Sequence, residues 1–133
     1  MIWKKKTSTA FKIDPERKLR KELYLDKFVF AGLTNLNNGF DTPTIKYFSE
    51  SDFEIVLDRV RQLDLGIYGI EPWKNGQYYC AVVYESVTND PKDPNWYIKA
   101  FEDFKKDGED LQYAASYHVP DEILDGKTRN NCG

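Results

Sequence analysis

Apolar residues recur along this chain in short runs whose spacing switches between helical and strand periods. Over residues 51–64, Phe53, Val56, Leu57, Val60 and Leu63 return every three or four positions, with Glu54, Asp58, Arg59, Arg61 and Gln62 opposite. That spacing predicts an amphipathic helix. Ser51 and Glu54 read as a capping box at its start, and Gly66 lies close enough to end it. A second helix is expected after Asp93, which suits the N-cap, with Pro94 in the first turn. Tyr97, Ala100, Phe101 and Phe104 form its inner face, and it stops near Gly108. Residues 14–25 predict a third helix, with Asp14 at the cap, Pro15 in the first turn and Glu16 at the positive end of the dipole. Its apolar positions Leu19, Leu23 and Tyr24 are few, which places it at the edge of the core.

Between the helices the period shortens. Residues 27–33 and 44–48 read as two paired strands, separated by a turn over 35–41 that contains Asn38-Gly39. Residues 66–73 and 77–85 read as the arms of a hairpin, since Asn75-Gly76 favours a type I′ turn. Pro72 has no N–H, so the first arm is expected to end or bulge there, or to lie on an edge. Residues 111–119 predict a fifth strand and 120–124 a single helical turn, while 126–133 read as a frayed tail. The order α-β-β-α-β-β-α-β predicts one α+β domain over residues 1–133. Its sheet is antiparallel or mixed, of about five strands, with the helices largely on one side.

Charge divides the chain. Residues 1–27 carry nine Lys/Arg against four Asp/Glu, whereas 28–133 carry ten against eighteen. The basic end reads as a solvated helix face, because the acidic remainder would repel a phosphate backbone; no nucleic acid is expected as a partner. Residues 1–6 have the charge of a signal peptide's first region, but no apolar stretch follows. No run approaches the roughly 20 apolar residues of a membrane helix. Cytoplasmic residence without a membrane partner is the expectation. Cys80, inside an apolar run, reads as a small buried hydrophobe, and a disulfide with Cys132 is not implied.

Candidate chemistry is sparse. One histidine and two cysteines supply few groups that titrate near neutral pH. His118 and Ser116 share a strand face, but no Gly-x-Ser-x-Gly turn accompanies them. Gly66 and Gly69 do not make a phosphate loop, and no spacing defines a metal site. Glu71 and Glu85 read as two exposed strand acids rather than a glycosidase pair. A small-ligand pocket lined by Tyr78, Tyr84, Tyr113 and Tyr117 is the remaining alternative. The expectation is a protein that is not an enzyme and takes no cofactor.

Aromatic residues are plentiful instead: three Trp, nine Tyr and eight Phe. Rigid aromatic anchors with complementary charge are what binding surfaces use. The expected partner-binding residues are Tyr68, Glu71 and Trp73 on the hairpin, with Asn75 at its tip, and Glu85, Asp90, Asp93 and Trp96 after it. The turn at Asn37, Asn38 and Asp41 is a further candidate. Residues 85–110 hold eight acids and four lysines, a balance that attracts a cationic partner. The competing reading places Trp73 and Trp96 in the core and makes the acids a solvated helix face.

Two stretches, Phe48-Ser49-Glu50-Ser51-Asp52-Phe53 and Gly66-Ile67-Tyr68-Gly69-Ile70-Glu71-Pro72-Trp73, resemble bacterial immunity proteins, which neutralise a delivered toxin domain. The small, acidic, aromatic-rich α+β form is similar too, and the resemblance covers residues 48–119. It implies a tight one-to-one complex with a cognate toxin of the kind used in bacterial competition, such as contact-dependent growth inhibition. The toxin would be basic, often a nuclease, with its active site or substrate surface covered. No residue role carries over from the resemblance. The alternative is a non-enzymatic adaptor or regulatory module of a phage or mobile element.

Overall fold

The computed structural model describes residues 14–108 and 110–125. Helix α1 (Pro15–Phe28) leads through a long loop to α2 (Glu50–Gln62), then to β1 (Gly66–Lys74), β2 (Gln77–Tyr78) and β3 (Val82–Val83). A 3-10 turn (Tyr84–Ser86), α3 (Pro94–Lys106), β4 (Gln112–His118) and the short α4 (Asp121–Asp125) follow. β1 is the central strand of an antiparallel sheet: β4 runs along one side, and β2 and β3 share the other. The architecture is α+β, with four strands among the described residues.

Cross-strand partners share a face of a sheet, and the register sorts the side chains. Ile67 lies opposite Tyr117, Pro72 opposite Tyr113, and Ile70 between Ala115 and Val82. Helices α2 and α3 cover this face. Phe53 of α2 stacks on Tyr113 with ring centroids 5.1 Å apart, and Phe101 of α3 meets the same ring edge-on at 5.1 Å. The helical periods in the sequence locate this core: Phe53, Val56, Leu57 and Val60 are buried from α2, and Tyr97, Ala100, Phe101 and Phe104 from α3. At the edge, Asp14 caps α1 by accepting from the Glu16 and Arg17 amides, while Leu19 and Leu23 stay exposed. Arg17 pairs with Asp121 and Asp125, tying α1 to α4.

The ends of α2 differ from the expected ones. Ser49, not Ser51, is the N-cap: its backbone is extended and its hydroxyl accepts from the Asp52 amide at 3.2 Å. At the other end Leu65 N–H bonds Val60 C=O at 2.9 Å and Asp64 N–H bonds Arg61 C=O at 3.2 Å. This is a Schellman closure with Asp64 in the left-handed position at φ 59°. Gly66 does not end the helix but begins β1, where a Cβ would sit 3.0 Å from the Pro91 backbone. Asp64→Gly is therefore expected to raise stability by about 0.5–1 kcal/mol in urea unfolding, by relieving the left-handed strain. Loss of its exposed pair with Lys92 subtracts little. A destabilised variant would contradict this account of the helix end.

Three expected strands change. Residues 27–33 are not a strand: α1 runs to Phe28, and the Val29 and Phe30 amides both reach Leu25 C=O, at 2.9 and 2.8 Å. The apolar run is the end of a helix folding onto the core, with Val29 fully buried. Residues 44–48 keep only one bridge, Phe48 to Tyr113 on the outer side of β4. The long return arm over 77–85 breaks into β2, β3 and the 3-10 turn. The register shows why: Trp73 pairs with Tyr78 and Ile70 with Val82, so three residues oppose Glu71 and Pro72. The extra residue is a bulge beside the proline that has no N–H to give. Pro72 itself neither ends β1 nor lies on an edge, since it pairs with Tyr113 of β4. Half-exposed Cys80 sits in this bulge rather than in a buried strand, and is a free thiol. Cys132, residues 1–6 and the tail 126–133 lie outside the described residues.

Candidate partner-binding face

The face of the sheet turned away from α2 and α3 carries Gly69, Glu71 and Trp73 of β1, with Ser116 and Ala114 beside them on β4. The loop before α2 folds over one end of it, organised by Asn37. The Asn37 amide nitrogen donates to Thr42 and Ile45 carbonyls at 2.9 and 2.8 Å, and its oxygen accepts from the Gly39 amide at 3.1 Å. This brings Phe40 and Tyr47 to the Trp73 ring, each with centroids 5.5 Å away. A small aromatic cluster thus lies opposite the main core. Tyr78, the cross-strand partner of Trp73, meets that ring edge-on at 6.3 Å.

Two charge-assisted bonds fix the cluster. Trp73 Nε1 donates to Glu71 at 2.6 Å, and the Tyr47 hydroxyl donates to Asp41 at 2.6 Å. The Tyr47 bond holds the Asp41 carboxyl below its ordinary value, while burial and then the same bond push the Tyr47 hydroxyl up. Asp41 is thus held as an anion beside apolar surface. Tyr78 is 60 % exposed and Val83 49 % exposed. Between Val83 and Tyr47 lies a shallow hollow of about 280 Å³, floored by Gly69 and Ser116. At the far end Tyr68 is the extra residue of a second bulge, between Ile67 and Gly69. Its ring lies 5.9 Å from Tyr84 and its hydroxyl hydrogen-bonds His118 Nδ1 at 2.9 Å.

Of the residues expected to bind, the structure gathers Tyr68, Glu71 and Trp73 along β1, and Glu85 follows Tyr84 in the 3-10 turn. Trp73 is half-buried, so part of its ring serves the cluster. Asp90 accepts from the Lys92 amide within its own turn, and Asp93 caps α3 through the Asn95 amide. Trp96 is not a surface anchor. It is 2 % exposed, with Nε1 bonded to Ile67 C=O at 3.2 Å under the core face. Sequence reasoning missed Tyr78, Val83, Phe40 and Tyr47. Tyr78 was legible: a two-residue Asn75-Gly76 turn, with both φ angles positive at 53° and 75°, forces Trp73 opposite it.

The residues considered for chemistry take other partners or lie apart. His118 Nδ1 bonds Tyr68, not Ser116. Glu71 is held by Trp73, and Glu85 lies beyond the strand that pairs with β1. The four-tyrosine pocket does not form, because Tyr113 and Tyr117 are buried on the core face while Tyr78 lies on the opposite one. The hydroxyls of Tyr113, Tyr117 and Tyr97 have no hydrogen-bond partner among the described residues. Burial raises the pKa of all three, that of Tyr97 to about 12. Among the described residues no group of three or more His, Cys, Asp or Glu could hold a metal ion, and no helix is long and apolar enough to cross a membrane.

The chain matches no protein-family model, and neither a curated protein nor a solved structure matches it. A functional reading therefore stands on the chain's own surface.

Proposed function

We propose that this chain is an immunity protein, which binds a cognate bacterial toxin domain in the cytoplasm and blocks it without catalysis. One observation carries the reading: exposed apolar and aromatic side chains, Tyr78, Val83 and Ile45 among them, stand on an open sheet face beside fixed carboxylates. The charge of the body supports it. The described residues hold thirteen Lys and Arg against twenty-one Asp and Glu, a net charge of −8. An acidic body steers a basic domain by long-range attraction, and desolvated aromatic rings then hold it.

The order of events makes the mechanism testable with the purified pair. Raising salt from 50 to 500 mM should slow association about tenfold or more, while dissociation changes by less than about threefold. An association rate indifferent to salt would contradict the steering mechanism.

A further inference from the structure

The lone histidine stands in a different setting from the apolar face. Beyond Tyr68, a hollow of about 420 Å³ opens between α1 and the end of β4, and Arg17, Lys18, Lys21, Tyr68 and His118 line it. Two carboxylates, Asp14 and Asp121, also reach its wall, and both are engaged. Asp14 caps α1, accepting from two amides. Asp121 is paired with Arg17, whose other arm holds Asp125. Lys18 is paired with Glu22 at 3.0 Å. Lys21 alone of these cations has no ion-pair partner among the described residues.

The chemistry of His118 adds a second donor. A phenol is a better donor than acceptor, so the 2.9 Å bond is read as Tyr68 OH donating to Nδ1. The neutral ring then carries its proton on Nε2 and has that N–H to give. The surroundings keep the ring neutral: burial first, then Lys92 and Lys21, lower its pKa, against weaker opposition from Asp121 and Asp90. Burial also lowers that of Lys21, an ammonium held half-buried with no counter-ion among the described residues. Both groups would gain from an anion brought between them.

We propose that this hollow is an oxyanion site, taking the phosphate or carboxylate group of a small molecule on Lys21 Nζ and the His118 Nε2–H. Tyr68 is its positioning residue, fixing the tautomer. An ammonium with no ion-pair partner among the described residues, beside a neutral N–H donor, gives such an anion one place to settle. The site shares Tyr68 with the candidate partner-binding face but does not rest on the toxin-binding reading, and either can fail alone.

The chain has one histidine, so its imidazole resonances are unambiguous. At fixed pH and ionic strength, inorganic phosphate, acetate and chloride are titrated separately into the full chain. The His118 ring signals are expected to shift saturably with phosphate or with acetate, the better of the two naming the source, and not with chloride. Lys21→Met should weaken the half-saturation about tenfold or more, and Tyr68→Phe should weaken it less. Lys99→Met, which removes a lysine paired with Asp103 on α3, should leave it unchanged. Shifts that never saturate, or that chloride reproduces, would overturn the site in the unmodified chain, whatever the folding of the variants. So would an undiminished affinity in folded Lys21→Met.

Discussion

Tyr113→Ala is expected to lower the unfolding free energy by about 3–5 kcal/mol, a large part of the 5–15 kcal/mol that typically holds a domain of this size. Three features converge on this one ring. It is fully buried, it stacks on Phe53 at 5.1 Å, and Phe101 and Phe104 close on it at 5.1 and 6.3 Å. Its backbone also exchanges two hydrogen bonds with Phe48, at 2.9 and 2.8 Å, which anchor the loop ahead of α2. Removing the ring leaves a cavity where both helices meet the sheet. Tyr113→Phe separates ring from hydroxyl. That hydroxyl has no partner among the described residues, so its loss should change stability by less than about 1 kcal/mol, in the stabilising direction. Urea unfolding of both variants decides the matter. A Tyr113→Ala loss below about 1 kcal/mol, or a Tyr113→Phe loss as large as that of the alanine, would contradict this packing.

The second large effect belongs to binding. Tyr78→Ala is expected to weaken the toxin complex by about 2 kcal/mol or more, mostly through faster dissociation. Tyr78 is the cleaner probe because it is 60 % exposed and lies outside the main core. Trp73→Ala should weaken binding by more than about 1 kcal/mol, but it also removes the contacts of Phe40 and Tyr47 and the bond to Glu71. Its effect on folding must therefore be measured alongside. Trp96→Ala should unfold the chain rather than affect the interface, because its ring is buried in the core. Unchanged affinity in a folded Tyr78→Ala variant would remove this end of the sheet from the interface.

The helices and the hairpin turn were legible because local chemistry determines them. Asp14 and Asp93 as caps, the prolines that follow them, and the inner faces of α2 and α3 need no knowledge of the rest of the chain. The errors fall where tertiary context decides. Phe28, Val29 and Phe30 suit a strand by composition, yet Leu25 C=O accepts both following amides and carries the segment out of a helix. Residues 44–48 alternate like a strand, but the Asn37 hub bends the loop and leaves a single bridge. Pro72 was visible as a ladder defect, but its location in the central strand was not, because its partner Tyr113 lies on β4, beyond a whole intervening helix. The split of the aromatic residues is in part of the same kind. Trp96 stands one helical turn before Ala100 and two before Phe104, so its burial follows from the helical period; Trp73 faces the open side of the sheet, which only the register of β1 decides.

Co-expression of this chain with the product of the neighbouring gene, scored by bacterial growth, decides whether it acts as an immunity protein. The neighbouring product is expected to be toxic alone, this chain to restore growth, and a Tyr78→Ala variant produced at the same level to restore it less well. A harmless neighbour, or protection with no complex of the two proteins, would contradict immunity by binding and leave the adaptor reading in its place.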